Sequence, residues 1–324
     1  MKLKGFLYII IPMFLFSSME IALKIAGGQF NPVELNFIRF LIGGLALLPF
    51  AILHLKKNGV KMSLYDLGRC ALTGFVIVVV SMTLYQLSIQ ITQASVIAII
   101  LSANPIFGLI IGFFFLHEKL SRTNVFALVL TLFGLLIIID PFNLKNPMGI
   151  ALGLLASIIF GVYGVMSRIN GHKIGINGLS MTCFSFLFGS LELGALMLLS
   201  HTSLAQFLPA QYSEFVNIPF FKGLTLQTLP LILYISVLVT GVAFGLYFVS
   251  MEEVGIVQAS LIFLIKPALA PVLSLFILGE AISGRTILGI VVILLGSVIT
   301  LVGEDIAYRV IALVRHQGRQ HHIN

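Results

Sequence analysis

Residues 94–138 read ASVIAIILSANPIFGLIIGFFFLHEKLSRTNVFALVLTLFGLLII, and residues 259–299 read ASLIFLIKPALAPVLSLFILGEAISGRTILGIVVILLGSVI. At an offset of 162 positions, Pro105, Phe114, Leu116, Glu118, Ser121, Val129, Leu132 and Gly134 meet Pro267, Phe276, Leu278, Glu280, Ser283, Val291, Leu294 and Gly296. Identities alone carry little weight in sequence this apolar. Their fixed order carries more: a proline, a span end, an acid, then the next span. Upstream the register slips, because Gln93-Ala94-Ser95 matches Gln258-Ala259-Ser260 at an offset of 165. One copy must absorb those three residues at a helix end or an irregular turn.

Composition places both copies in a membrane. Of 324 residues 59% are hydrophobic and 10% charged, with mean hydropathy +1.10. No charge occurs between Arg69 and Glu118 or between Lys222 and Glu252. Each gap holds at least one bilayer-spanning helix of about 20 residues. The first segment, from Gly5, lacks a small-residue cleavage site and reads as a retained span rather than a signal peptide. Cys70 and Cys183 offer neither a metal site nor a disulfide framework. The net charge of +7 does not imply nucleic-acid binding, since its basic residues are scattered through short loops and the tail.

Hydropathy and turn signals predict ten spans, near 5–26, 34–54, 69–89, 94–117, 123–140, 148–168, 178–199, 229–250, 254–278 and 286–303. With the N-terminus cytoplasmic, most basic residues fall inside: Lys2, Lys4, Lys56, Lys57, Lys61, Arg69, Lys119, Arg122, Arg168, Lys173, Arg309, Arg315 and Arg319. Only Lys24, Lys145, Lys222 and Arg285 fall outside. This bias selects N-in and C-in. Five spans per half make the halves inverted, with Glu118 at the inner surface and Glu280 at the outer. Two such units can form a central pathway opened to alternate sides. The expected organisation is a first repeat over 1–145, a second over 146–305 and a basic cytoplasmic tail over 306–324, all in a multi-pass membrane protein.

Polar residues within spans mark the candidate pathway, because intramembrane charge is costly. Lys266 precedes Pro267, which with Pro271 frees helix carbonyls; a substrate anion or a protein acid can neutralise it, with snorkelling or a misplaced span as the plainer readings. Gln258, Ile262, Lys266 and Ala270 share a face expected to turn toward a cavity. Asn104-Pro105 is the equivalent place in the first half, chemically different because asparagine carries no charge. Arg39 is a candidate for an external gate or an anion-attracting group, with snorkelling to headgroups as the plainer reading. Glu20 and Lys24 are spaced to pair along one helix face. Glu192 is a candidate carrier of coupling protons. Ser17, Ser18, Ser81, Thr83, Tyr85, Gln86, Ser102, Tyr163 and Tyr247 can line the cavity, although hydroxyls also bond to their own helix. Glu118 and Glu280, beside Ser121 and Ser283, are expected to cap the following helix or brace a turn. Gly108/Gly112, Gly149/Gly153 and Gly241/Gly245 have spacing suited to close helix packing.

With these residues in view, the chain resembles the drug/metabolite transporter superfamily, specifically its EamA-type ten-span members. The two quoted stretches carry the resemblance: each has an apolar segment ending in Glu118 or Glu280, followed by a span containing Gly134 or Gly296. The resemblance implies an all-α polytopic membrane protein, with ten transmembrane helices in two inverted five-helix repeats around a substrate cavity. It assigns architectural roles to Pro105, Glu118, Pro267 and Glu280. Related proteins export amino acids, metabolites or toxic compounds, or move sugars and nucleotides. His117-Glu118 differs from Gly279-Glu280, and neither opening span contains tryptophan, which discourages assignment to an aromatic amino-acid exporter.

The expected function is therefore a secondary transporter exporting a small polar or amphipathic metabolite, amino-acid-like among the candidates, by alternating access, with proton exchange or facilitation as the driving force. The chain has no GxxxxGK[ST] loop, HExxH site or catalytic constellation, so neither an enzyme nor a cofactor, metal or nucleic-acid partner is expected. A non-transporting scaffold or lipid-handling protein is the alternative.

Overall fold

The computed structural model describes residues 3–116, 122–140, 146–203, 205, 209, 214–253 and 256–299. Glu118, Ser121 and the tail from 306 lie outside them, as do the side chains of Pro105 and Gln258. Every regular element among the described residues is a helix, one of the two structures lipid permits, because a helix satisfies its backbone groups internally. Among the described residues, eight helices are long and apolar enough to cross a bilayer: α1 (Gly5–Ala26), α2 (Pro32–Asn58), α3 (Leu64–Ile91), α4 (Ala94–Phe115), α6 (Pro147–Ile174), α7 (Gly178–Leu199), α8 (Leu229–Met251) and α9 (Leu261–Leu278). Two shorter apolar helices, α5 (Val125–Ile139) and α10 (Gly284–Ile299), complete the series. The chain is an all-α polytopic membrane protein.

Local chemistry fixes where these helices begin and end. Asn31 caps α2 by accepting from the Val33 and Glu34 amides, while Glu34 reaches back to Asn31. Ser63 and Asp66 form the same reciprocal box at the start of α3. Gly279, at φ 68°, follows the last turn of α9 in the left-handed region, a conformation that suits glycine.

Helix packing exchanges consistently between halves. α1 packs on α8 and α9, and α6 packs on α3 and α4. α2 packs on α8, and α7 packs on α3. α2 meets α7 and α4 meets α9 directly. Gly134 and Gly289 bring α5 and α10 together, since a Cβ at either would collide with the other's carbonyl. Adding or subtracting five in the helix numbering maps each contact onto another or onto itself, as a molecular pseudo-twofold does. Each half completes its packing on the other.

Two details refine the repeat. α3 and α8 occupy equivalent places, and both widen into π-helical turns, at Phe75–Ser81 and Tyr234–Val242. Such turns are uncommon and collect at functional sites. α4 breaks at Ala103 into segments Ala94–Ser102 and Asn104–Leu116, whereas α9 continues through Pro267 and Pro271. The break locates the three-residue register slip in the first copy. Three residues fall about 60° short of one helical turn, and the irregular turn at Ala103 lies where that mismatch must be absorbed.

Candidate functional site

A buried ion pair joins α1 of the first half to α9 of the second. Lys266 Nζ donates to Glu20 Oε1 at 2.6 Å, and the Tyr85 hydroxyl of α3 donates to the same oxygen at 2.5 Å. Lys266 is 1% exposed and Glu20 0%. A partner acid therefore neutralises Lys266, and it is the acid expected to engage Lys24. Glu20 and Lys24 do not form their anticipated helix-face pair. Lys24 instead donates to the carbonyls of Ile89, Gln90 and Thr92 at 2.7, 3.2 and 2.5 Å. Helix-end carbonyls draw a cation, while a desolvated ammonium at Lys266 needs a full countercharge.

One helical turn below the pair lies an aromatic floor. Phe16 stacks on Phe263 with centroids 5.5 Å apart, and Phe244 and Tyr247 meet Phe16 edge-on at 4.9 and 6.4 Å. Phe16 precedes Glu20 by four residues and Phe263 precedes Lys266 by three. Charge and aromatic surface thus stack along the same α1–α9 seam.

Arg39 of α2 is 1% exposed and lies within electrostatic range of Tyr85 and Glu20. It does not snorkel. Its guanidinium packs over the Phe40 ring at 4.4 Å, leaving Nε and Nη1 without hydrogen-bond partners. Glu20 Oε2, both amide atoms of Asn36, Gln86 Oε1 and Thr83 Oγ1 are likewise buried and unpartnered. Asn36 lies three residues before Arg39, and Thr83 three before Gln86, so each pair shares a helix face. Unpaired buried polar groups are strongly unfavourable unless something satisfies them. With Lys266 and Arg39 against Glu20, the cluster carries one surplus positive charge.

The remaining candidates divide. Tyr85 and Gln86 belong to this centre; Gln86 Nε2 also donates to the Leu23 carbonyl at 3.4 Å. Ser18 shares a 2.5 Å hydrogen bond with Tyr234 and donates to the Leu15 carbonyl, while Ser17 bonds back to Met13. Tyr247 belongs to the aromatic floor. Tyr163 bonds to Thr182 at 3.0 Å, Ser81 to the Ala156 carbonyl and Ser102 to Ala98. Asn104 is buried at the α4 break, and no hydrogen bond joins it to Lys266 among the described residues. Glu192 of α7 has a buried, unpartnered Oε2. Ile262 and Ala270 are buried with Lys266 on its face of α9. A cavity of about 400 Å³ opens elsewhere, where Val33, Val79 and Thr83 face Leu193, Leu196 and Phe215. It therefore meets the polar face of α3 at Thr83.

Sequence reasoning missed Asn36 and misassigned Glu20; of its two readings of Glu280, a cap on the following helix or a brace on a turn, the cap does not hold. Glu280 does not cap its own following helix; Ser283 does, accepting from the Thr286 amide. Glu280 reaches across to α4. Oε1 accepts from the Ala94 amide at 2.8 Å, and Oε2 accepts from the Ser95 amide, the Ser95 hydroxyl and Ser274 at 3.1, 2.8 and 2.7 Å. Burial pushes this carboxyl up, but the donors from Ser274, Ser95 and Ala94 together hold it below the usual carboxylate range. The Gln93-Ala94-Ser95 echo was the available signal.

The model of the EamA-like transporter family matches residues 3–140 and 147–302. A Clostridium kluyveri protein described as an uncharacterized transporter is 32% identical over 305 residues, covering 91% of this chain and 92% of its own length. A Rickettsia felis S-adenosylmethionine uptake transporter is 25% identical over 154 residues, covering 47% of this chain and 50% of its own. One crystal structure shares the fold at a TM-score of 0.59 and 16% identity, covering 92% of this chain and 96% of that one. With both halves matched and a full-length relative sharing nearly a third of its residues, this membrane transporter belongs to the EamA-like transporter family.

Proposed function

We propose that the chain is a secondary transporter that exports a small, amino-acid-like metabolite by alternating access. Two inverted halves, 1–145 and 146–305, would move around the Glu20–Lys266 centre, with both termini and the tail over 306–324 in the bacterial cytoplasm. The observation that carries this reading is the collection of unsatisfied groups around the ion pair. Arg39 offers two free donors to a carboxylate, and Glu20 Oε2 offers a free acceptor to an ammonium. The Phe16–Phe263 floor supplies apolar surface beside both. A zwitterion with a modest side chain matches donor, acceptor and surface together, and the excess positive charge favours a solute with an additional anionic group.

Lys266 and Arg39 act in this scheme as substrate-binding groups, supported by Asn36, Tyr85 and Gln86. Asn104 and Pro105 contribute a hinge, given the break in α4 beside them. Glu192, with its buried free oxygen, is the proposed carrier of coupling protons. The Rickettsia felis relative is described as an S-adenosylmethionine uptake transporter; S-adenosylmethionine carries an ammonium and a carboxylate, so metabolites bearing both groups form the first test panel.

The test is counterflow in proteoliposomes loaded with metabolite mixtures, with and without an imposed proton gradient. Saturable flux of a zwitterionic solute is expected, lost in Lys266→Met and strongly weakened in Arg39→Gln. Flux in everted vesicles establishes the direction, and a gradient response abolished by Glu192→Gln establishes coupling. Lipid movement without solute flux would overturn the proposal.

A further inference from the structure

Glu280 does something that neither its place in the repeat nor the buried centre requires. It ties the end of α9, in the second half, to the first turn of α4, in the first half. Four donors converge on its carboxylate: two amides from the start of α4 and the hydroxyls of Ser95 and Ser274. Exposed helix-start amides and an anion make a favourable pairing. Gly279 turns the chain in the left-handed region immediately before it. The same α3–α4 turn is gripped from its other side, because Lys24 of α1 holds the carbonyls of Ile89, Gln90 and Thr92. A cation on the closing carbonyls of α3 and an anion on the opening amides of α4 therefore hold one short turn between α1 and α9. Gly149 packs against Thr92 so closely that a Cβ there would overlap its hydroxyl.

This clamp lies directly above the ion pair. Lys266, Ala270 and Ser274 follow one face of α9 at four-residue spacing, at 1%, 1% and 0% exposure. Glu20 and Lys24 follow one face of α1 at the same spacing. Each helix thus carries one member of the buried pair and, one or two turns along, one member of the clamp.

We propose that the Glu280 clasp is the latch of a gate: its carboxylate must leave the start of α4 before the pathway to Glu20 and Lys266 opens at this end of the bundle. The inference rests on the alternating-access reading. Glu280 is charged while latched, and its hydrogen bonds keep the carboxyl below its ordinary range. The groups facing it are Ser274 of α9, Ser95 and the Ala94 amide of α4, and Lys24 of α1 through its charge. Arg285, at the start of α10, is engaged with Asp140. Strong acid therefore releases the latch and neutral pH keeps it closed.

The test is cysteine accessibility, which needs no substrate. Ala270→Cys is placed in the full chain with Cys70→Ala and Cys183→Ala, reconstituted in vesicles, and exposed to an impermeant maleimide on the face bearing Glu280. Labelling is expected to accelerate about tenfold when Glu280→Gln removes the charge from these hydrogen bonds. The milder Ser95→Ala/Ser274→Ala pair should produce a smaller increase, and it carries the test if Glu280→Gln fails to fold. Because acid itself slows maleimide attack by depleting the thiolate, rates are taken relative to an exposed control cysteine at the same pH; on that scale acidification should accelerate labelling when Glu280 is present and add little in Glu280→Gln. Unchanged labelling in a folded variant, or an equal increase for reagent added to the opposite face, would overturn the latch. Either result leaves the solute-flux test of the transporter standing.

Discussion

At the scale of single residues, one buried contact dominates: an ammonium and a carboxylate facing each other with almost no water. Removing one partner of such a pair typically costs about 3–5 kcal/mol, because the other charge is left uncompensated. Lys266→Met and Glu20→Gln should each lower the melting temperature in detergent, and the double substitution should recover much of the loss. Transport should not recover with it. A double variant as unstable as the singles would show that the ion pair is not what holds this seam. Lys266 was legible in the sequence because charge is rare in such spans. Its partner was not, since Glu20 has a nearer lysine at helical spacing. Only tertiary packing reveals that Lys24 is drawn away by the carbonyls at the end of α3. Asn36 escaped notice for a related reason: an uncharged amide is conspicuous only once its lack of partners is seen.

The elements place these groups by close approach. Gly74, at the start of the π-helical stretch in α3, lies against Ser185 and Gly189 of α7, with no room for a Cβ. Gly74→Leu should destabilise the protein by about 1–3 kcal/mol, as overpacking usually does. Gly164→Leu in α6, where a Cβ meets nothing within 4 Å, should leave stability nearly unchanged. Thermal denaturation of the two variants side by side checks both. Span positions were largely readable from hydropathy: the expected 5–26 and 178–199 correspond to Gly5–Ala26 and Gly178–Leu199. The π-helical turns were not readable, because Phe75–Ser81 and Tyr234–Val242 look like ordinary apolar helix. Their widening depends on what packs against them. The Ala103 break was half legible: the register slip required an irregularity, and only the fold located it.

For the molecule as a whole, acid sensitivity should concentrate where the halves are tied by charge. The Glu280 carboxyl is held below its unfolded value, so its contribution is present at neutral pH and is lost as pH falls through the folded value. Melting temperature should therefore decline in acid, with a shallower decline in Glu280→Gln; parallel curves would count against that contribution. The duplication announced that the chain has two related halves, but it did not say that they interleave. That interleaving has a consequence for biosynthesis. Glu20 enters the membrane with the first helix, and its partner Lys266 lies 246 residues later. During translation the nascent first helix must hold an acid without its eventual counterion, through proton uptake, interfacial residence or a temporary companion. A ribosome-tethered chain ending after Asn146 should consequently be a better target for membrane quality control than the same chain carrying Glu20→Gln, and pulse-chase degradation would measure the difference.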